Sequence, residues 1–590
     1  MVVEVLGDAQ VGHRVEVGGP EPVVPLVLAH GGLTRVGNGL NVGVAPLGYG
    51  QPAQTLSQPH KRIEKGPFVN KLDRRAVLIA GLGAAGTALL AACGDDASTS
   101  PSLLSPSGSQ VARVEEQRSS TGRVRPLQLI AAPAALDLGA GVVARSWAFG
   151  GQVPTKEIRI SAGDTVTAEL SNQLPAGTTT SVHWHGIALR GDMDGVPPVT
   201  QSPVHPGSTF TYRFIADTPG TYFFHPHVGV QLDRGLYAPL IVEDPREPLS
   251  YDDEWVVVLD DWLDGVTGTP EDAFAELSHG RGGMDMKEAT ASPSASSEDV
   301  DGDGDDGHDM STTFMLMGAT SELLGGDAGD IRYPYHLING RVPADPAVHR
   351  SKPGRRLRLR IINAGSDTAY RVALGGHKLT ITHTDGYPVE HRQVDALLVA
   401  MGERYDVLVT LGDGVFPLVA LAEGKDASGM AVLRTGSGGR PKPDVRPNEL
   451  DGLIVTASQL LAVEDVRLEA KEPDRVHRIK LTGSMDKYDW AINGKRFDMS
   501  NPTANPVLVE EGQRVRLDFV NATHMWHPMH LHGHTYQLGS TGPRKDTTVV
   551  LPQRKVSVFF DADNPGLWML HCHNAYHGEA GMMALVAYGV

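Results

Sequence analysis

FIADTPGTYFFHPH, residues 214–227, and FDADNPGLWMLHCH, residues 560–573, carry Phe, Ala, Asp, Pro, Gly, His and His at identical offsets. Seven aligned identities at fixed spacing make the two segments copies of one structural unit. A shorter pattern extends the repeat to three copies. Gly163 leads through VTAEL to Asn172, Gly354 through RLRLRII to Asn363, and Gly512 through RVRLDFV to Asn521, each over nine residues. Every run alternates with period two, the mark of a half-buried strand. Short strands with Gly and Pro turns and no long helical pattern predict an all-β chain of three β-sandwich domains.

The boundaries follow from these copies. Domain 1 is expected at 125–247, domain 2 at 251–436 and domain 3 at 477–590, with a connector at 437–476. An insert at 280–318 interrupts domain 2. Its middle, SPSASSEDVDGDGDDGHDM, is acidic and low in complexity, and is expected to be disordered. Its DxDxDG run copies half of a calcium loop, but Met310 stands where the bidentate glutamate belongs, so it reads as a solvated acidic run.

The N-terminal part reads as an address. Arg74 and Arg75 precede an apolar stretch of small residues that ends Leu90-Ala91-Ala92-Cys93. This order fits a twin-arginine export signal over 71–93, with Cys93 as the lipid-modified first residue of the mature protein. The Ser-, Gly-, Asp- and Pro-rich stretch 94–124 would be a flexible tether. Residues 1–70 show no clear period and are expected to be a non-native or disordered extension, with translation starting near Val69. The reading predicts an exported protein of the cell envelope, lipid-anchored on the outer face of the cytoplasmic membrane. It would touch the membrane only through Cys93, and a monomer is expected.

Composition adds exclusions. At 590 residues the chain is too long for one core. A net charge of -18 argues against a nucleic-acid partner, which needs a basic face. The two cysteines, Cys93 and Cys572, lie in unrelated contexts, so no disulfide is expected.

Four motifs carry the chemistry: His183-Trp184-His185, His225-Pro226-His227, His527-Pro528-Met529-His530-Leu531-His532, and His571-Cys572-His573 with His577 and Met582. In His-x-His on a strand both imidazoles leave on one face. Two pairs from domain 1 and two from domain 3 supply eight imidazoles, a donor set suited to copper, zinc or iron. Zinc fills four tetrahedral positions and does not use eight imidazoles beside a separate Cys/His/Met set. Cys572, His577, a histidine from elsewhere and Met582 as a weak axial thioether would make a blue-copper site. Cys572 is bonded through the chain to both His571 and His573, a short route for an electron.

These motifs resemble those of the multicopper oxidases, the family of laccases and ascorbate oxidase, and most of all the exported bacterial enzymes of copper tolerance. The resemblance spans about 125–590 and implies three cupredoxin-like Greek-key domains. It implies four coppers, one type 1, one type 2 and two type 3. Type 1 copper would be held by His527, Cys572, His577 and Met582. Type 2 copper would take His183 and His530. One type 3 copper would take His185, His225 and His573, the other His227, His532 and His571. Substrate would be oxidised at type 1 copper, and O2 reduced to water at the other three, between domains 1 and 3.

Domain 2 has no His-x-His after Asn363 and would be a spacer. Pro226 stands where domain 3 has Cys572, so domain 1 holds no type 1 copper. Asp194 matches a family carboxylate that serves proton delivery. The other family acid falls at Gly578, with Glu579 one position later.

The reductant is expected to be Cu(I). Soft thioethers select it, and Met284, Met286, Met310, Met315 and Met317 cluster in and around the insert. Met525 matches a substrate-copper ligand of the copper-tolerance enzymes, although the family's acid two residues earlier is Thr523 here. Small aromatic reductants oxidised in laccase fashion are the alternative. A cupredoxin copper store or electron carrier is the non-enzyme alternative, but a carrier needs only the Cys/His/Met set.

Overall fold

The protein is described from a computed structural model, in which residues 102–280 and 314–590 are the described residues. They lie in one compact unit, Asp96–Val590. The extension 1–70, the signal with Arg74, Arg75 and Cys93, and the insert's Met284, Met286 and Met310 lie outside the described residues.

Three cupredoxin-like β-sandwiches follow one another. The first pairs two four-stranded sheets, the second two six-stranded sheets, and the third a six- and a five-stranded sheet. The repeated strands are Asp164–Asn172, Arg356–Asn363 and Arg514–Asn521. Each lies parallel to the first long strand of its own sandwich and antiparallel to a later one. One face of each repeated strand is apolar and fully buried, as at Val166, Ala168 and Leu170.

The asparagine that closes each repeat has the same task in all three. Asn172 Nδ2 donates to the carbonyls of Thr178 and Val204, Asn363 Nδ2 to those of Thr368 and Val399, and Asn521 Nδ2 to those of Met525 and Val550. Its Oδ1 accepts a backbone N–H two residues on, from Leu174, Gly365 or Thr523. A buried side-chain amide can satisfy the strand end and the crossing loop together. The motif was thus a sequence signal for a buried corner.

The stretch 102–122 differs from the tether its composition suggests. Helix α1, Ser109–Gln117, packs Val111 into the protein, and Leu104 N–H donates to the Tyr588 carbonyl. Glu115 accepts the Ile215 N–H at 2.8 Å, and Arg118 reaches Asn564 at 3.2 Å. The apolar Leu104 and Val111, both nearly fully buried, supply the reason to dock. A second helix, α2, Pro270–Ser278, precedes the insert and has a Thr269–Asp272 capping box. Its Glu276 accepts the backbone N–H of Phe314 and Met315, which pins the far end of the insert beside the near end.

Candidate metal centre

The strand His183–His185 pairs antiparallel with Gly220–His225, which sets His183 opposite His225 and His185 opposite Phe223. Period two turns both imidazoles to one face and Trp184 to the other. Trp184 fills the core against Tyr212, Phe214 and Phe224. In the third sandwich His527–Leu531 pairs with Leu567–Cys572, setting His530 opposite His571 and Met529 opposite Cys572.

These strands bring eleven of the predicted donors into four buried groups, each with its donor atoms within 4.8 Å of one another. His185, His225 and His573 form one, and His227, His532 and His571 a second. His183, with His185 and His530, forms a third, and His527, Cys572 and His577 the fourth. His573 Nε2 lies 3.2 Å from His185 Nδ1, and His532 Nε2 lies 3.1 Å from His571 Nε2. The His185 and His530 rings stack with centroids 3.9 Å apart, and those of His183 and His532 at 3.7 Å.

One nitrogen of many of these rings is fixed by the protein, and the other is left bare. His183 Nδ1 donates to the Asp194 carbonyl, His225 Nδ1 to that of Pro226, and His530 Nδ1 to that of Asp546. The Nε2 atoms of His183, His225 and His530 are buried with no hydrogen-bond partner. Buried polar atoms are rarely left so. A cation that takes their lone pairs satisfies them, and neutral imidazole is a good copper ligand. Burial, with mutual repulsion, holds His185, His225, His227, His532 and His573 well below the usual imidazole range, and His571 at about 3. The rings are therefore neutral and ready to ligate at physiological pH.

Carboxylates fix the tautomers. Asp194, 1% exposed, accepts from His532 Nδ1 at 2.8 Å and lies 3.2 Å from His183 Nδ1. Sequence reading passed over Asp546, which lies 3.1 Å from His185 Nε2 and accepts two bonds at 2.7 Å from the buried Arg404. Burial pushes the Asp546 carboxyl up, but the Arg404 guanidinium and the His185 ring hold it well below the usual range. Lys545, beside it, contacts Asp385 at 3.0 Å and Glu403 at 3.1 Å. The polar run Arg544-Lys545-Asp546-Thr547, embedded in strands, was the available signal.

Domain 2 is also more than a spacer at this point. Arg404 comes from it, and so does Gly402, whose missing side chain lets the backbone lie against the His185 and His573 rings.

In the fourth group the Cys572 thiol, a free buried cysteine, lies 3.6 Å from both His527 Nδ1 and His577 Nδ1, and those nitrogens are 3.1 Å apart. Thr523 Oγ1, in place of the family's acid, sits 2.9 Å from His527 Nε2. Burial pulls the His577 pKa down, but the Asp330 carboxylate, 2.9 Å from Nε2, reverses this and pushes it up to about 10. Met582 is fully buried, and its carbonyl accepts the Cys572 N–H at 3.0 Å. Met525 and Met315 are both 2% exposed within one core cluster, whereas Met317 is 49% exposed. A small cavity of about 40 Å³ reaches the histidines and is lined by His225, His227, His571, His573 and Glu579.

The fold and these groups define a copper oxidase, and the chain belongs to the multicopper oxidases. Three matches to that family cover residues 134–247, 317–438 and 470–589. The chain is 46% identical to multicopper oxidase MmcO of Mycobacterium tuberculosis over 88% of its own length and 97% of the relative's. It is 30% identical to a copper resistance protein A homolog of Pseudomonas syringae pv. tomato, over 73% and 87% of the two chains. Among solved structures it matches the laccase of Botrytis aclada with a TM-score of 0.63 at 24% identity, covering 80% and 90%. The protein is an oxidoreductase with O2 as electron acceptor and four coppers of types 1, 2 and 3 as cofactor.

Proposed function

We propose that the protein oxidises Cu(I) at a type 1 site made by His527, Cys572, His577 and Met582, as a copper-tolerance enzyme of the cell envelope. Type 2 copper is assigned to His183 and His530. The type 3 pair is assigned to His185, His225 and His573, and to His227, His532 and His571. The division at 125–247, 251–436 and 477–590 is proposed for the three domains. The export signal, with Cys93 as anchor, and a monomeric state complete the proposal.

Bound copper supplies one-electron transfer and the reduction of O2. The chain supplies the rest. Cys572 joins the two centres covalently, through its own backbone to His571 and His573. Asp194 holds the His532 and His183 rings in register. Glu579 lines the cavity beside the type 3 histidines, and burial of its carboxyl raises its pKa, so it holds a proton more readily than a free glutamate.

The observation that carries the Cu(I) reading is the placing of Met525, a buried thioether two residues before His527. Thioethers favour Cu(I). The name of the Pseudomonas relative is in keeping with it. A laccase-like phenol oxidase is the second reading, favoured by the match to a fungal laccase.

Turnover on Cu(I) relative to turnover on a model phenol, with copper content measured on the same sample, separates the two. Met525→Leu keeps the packing volume and should lower Cu(I) oxidation much more than phenol oxidation. Removal of 281–313 tests the insert. The cut stops there because Met315 is buried and bridges to Ile331. If both variants oxidise Cu(I) like the parent, the laccase-like reading replaces this one.

A further inference from the structure

Tyr488 is buried, 2% exposed, with φ at +49°, in the left-handed region. A bulky residue adopts that region only where its surroundings impose it, and such strain gathers at functional sites. What the strained turn achieves is visible. Its hydroxyl donates to Asp330 Oδ2 at 2.7 Å. The same oxygen lies 2.9 Å from His577 Nε2, on the ring edge facing away from Cys572.

Both sides of this contact are anchored to one scaffold. The Asp330 N–H donates to the Asp367 carboxylate, which Lys425 and Asn574 also hold, at 2.6 and 2.7 Å. Asn574 caps helix α3, Ala575–Glu579, by accepting the N–H groups of Tyr576 and His577. Trp490, two residues past Tyr488, packs its ring 4.4 Å from that of His577 and 5.3 Å from that of His527.

We propose that Asp330 and Tyr488 are a positioning pair that sets the reduction potential of the metal held by His527, Cys572 and His577. The proposal rests on the type 1 assignment above. With Nδ1 ligating, the His577 N–H is at Nε2, the nitrogen that lies 2.9 Å from Asp330 Oδ2. A carboxylate beside that N–H makes the imidazole a stronger electron donor, which stabilises Cu(II) and lowers the potential. The Tyr488 hydroxyl donates to the same oxygen, withdraws part of its electron density and moderates the effect. The two residues therefore act in opposite directions. A merely structural pair gives no reason for opposite signs.

The test compares the copper-loaded full-length parent with Asp330→Asn and Tyr488→Phe, reading copper content, blue absorption and reduction potential. Asp330→Asn should raise the potential and Tyr488→Phe should lower it, with colour and four coppers kept in both. Shifts of the same sign, or none, in variants that stay blue would overturn the pairing. If Asp330→Asn does not hold its copper, Tyr488→Phe decides alone, and an unchanged or raised potential refutes the pair. A colourless copper-loaded parent would remove the type 1 assignment, and the proposal with it.

Discussion

Gly402→Ala puts the contribution of domain 2 to the cluster on trial. Gly402 lies between the strands Ala396–Val399 and Arg404–Thr410, with φ at +79°. A Cβ there would stand 2.8 Å from His573 Cδ2 and 3.0 Å from His185 Cε1. Carbon atoms rest at about 3.5–4.0 Å, so the rings must give way by roughly 0.5–1 Å. Neither ring is free to do so. His185 Nε2 lies 3.1 Å from Asp546, and the His573 ring abuts His185, its Nε2 3.2 Å from His185 Nδ1. A ligand set tolerates displacements of only about 0.5 Å.

The left-handed backbone costs alanine about 1–2 kcal/mol whether or not metal is bound. The crowding, about 1–3 kcal/mol, opposes the ligating geometry itself. At 1.4 kcal/mol per factor of ten, copper at His185, His225 and His573 should bind roughly 5- to 150-fold more weakly. The control is Gly354→Ala, which has the same φ of +79° but no atom within 4 Å of the added Cβ. The assay is copper content and blue absorption after dialysis against graded chelator. Gly402→Ala should lose cluster copper and O2 reduction first, while the blue centre at Cys572 persists. If it keeps its copper as well as Gly354→Ala does, the crowding argument is wrong.

Three further outcomes follow from the site. Cys572→Ser should abolish the blue absorption and turnover while the cluster still loads, because an alcohol cannot replace the thiolate as charge-transfer donor; retained colour would refute the type 1 assignment. Met582→Leu should raise the reduction potential with the fold intact, because the lost thioether stabilises Cu(II); an unchanged or lowered potential would show that Met582 is not axial. In the copper-free protein the His577 pKa is raised from 6.5 to about 10, so the His577–Asp330 contact contributes its full stability below pH 6.5 and loses it as pH rises toward 10. The melting temperature of the copper-free protein should fall across that window, and Asp330→Asn should flatten the fall; a parent profile that is already flat would contradict it.

Much of the fold was legible because the chain repeats itself. Gly163, Gly354 and Gly512 each lead to an asparagine with one local task, so a single strand pattern could be read three times. The His-x-His pairs were legible for a similar reason: period two fixes the face, and the repeat places the pairs at matching corners. Residues 102–122 were misread because Ser, Gly and Pro dominate their composition, although two buried apolar side chains, Leu104 and Val111, are enough to dock them.

What stayed hidden around the metal centres is what domain 2 gives. Gly402, Arg404 and Asp330 come from loops and strand ends far in sequence from the histidines, and no motif marks them. Their parts depend on tertiary contact alone: an absent Cβ against two rings, a guanidinium on Asp546, and a carboxylate on the far edge of His577. Domains 1 and 3 supply the proposed ligands, and a sequence read for ligands sees only those two. Domain 2 supplies constraint, which has no residue-type signature. A glycine that must stay small and a buried acid that must stay charged look like any others until their neighbours are known. Substitutions in domain 2 should therefore change copper affinity and potential without removing a single ligand, and Gly402 and Asp330 test the two halves of that statement separately.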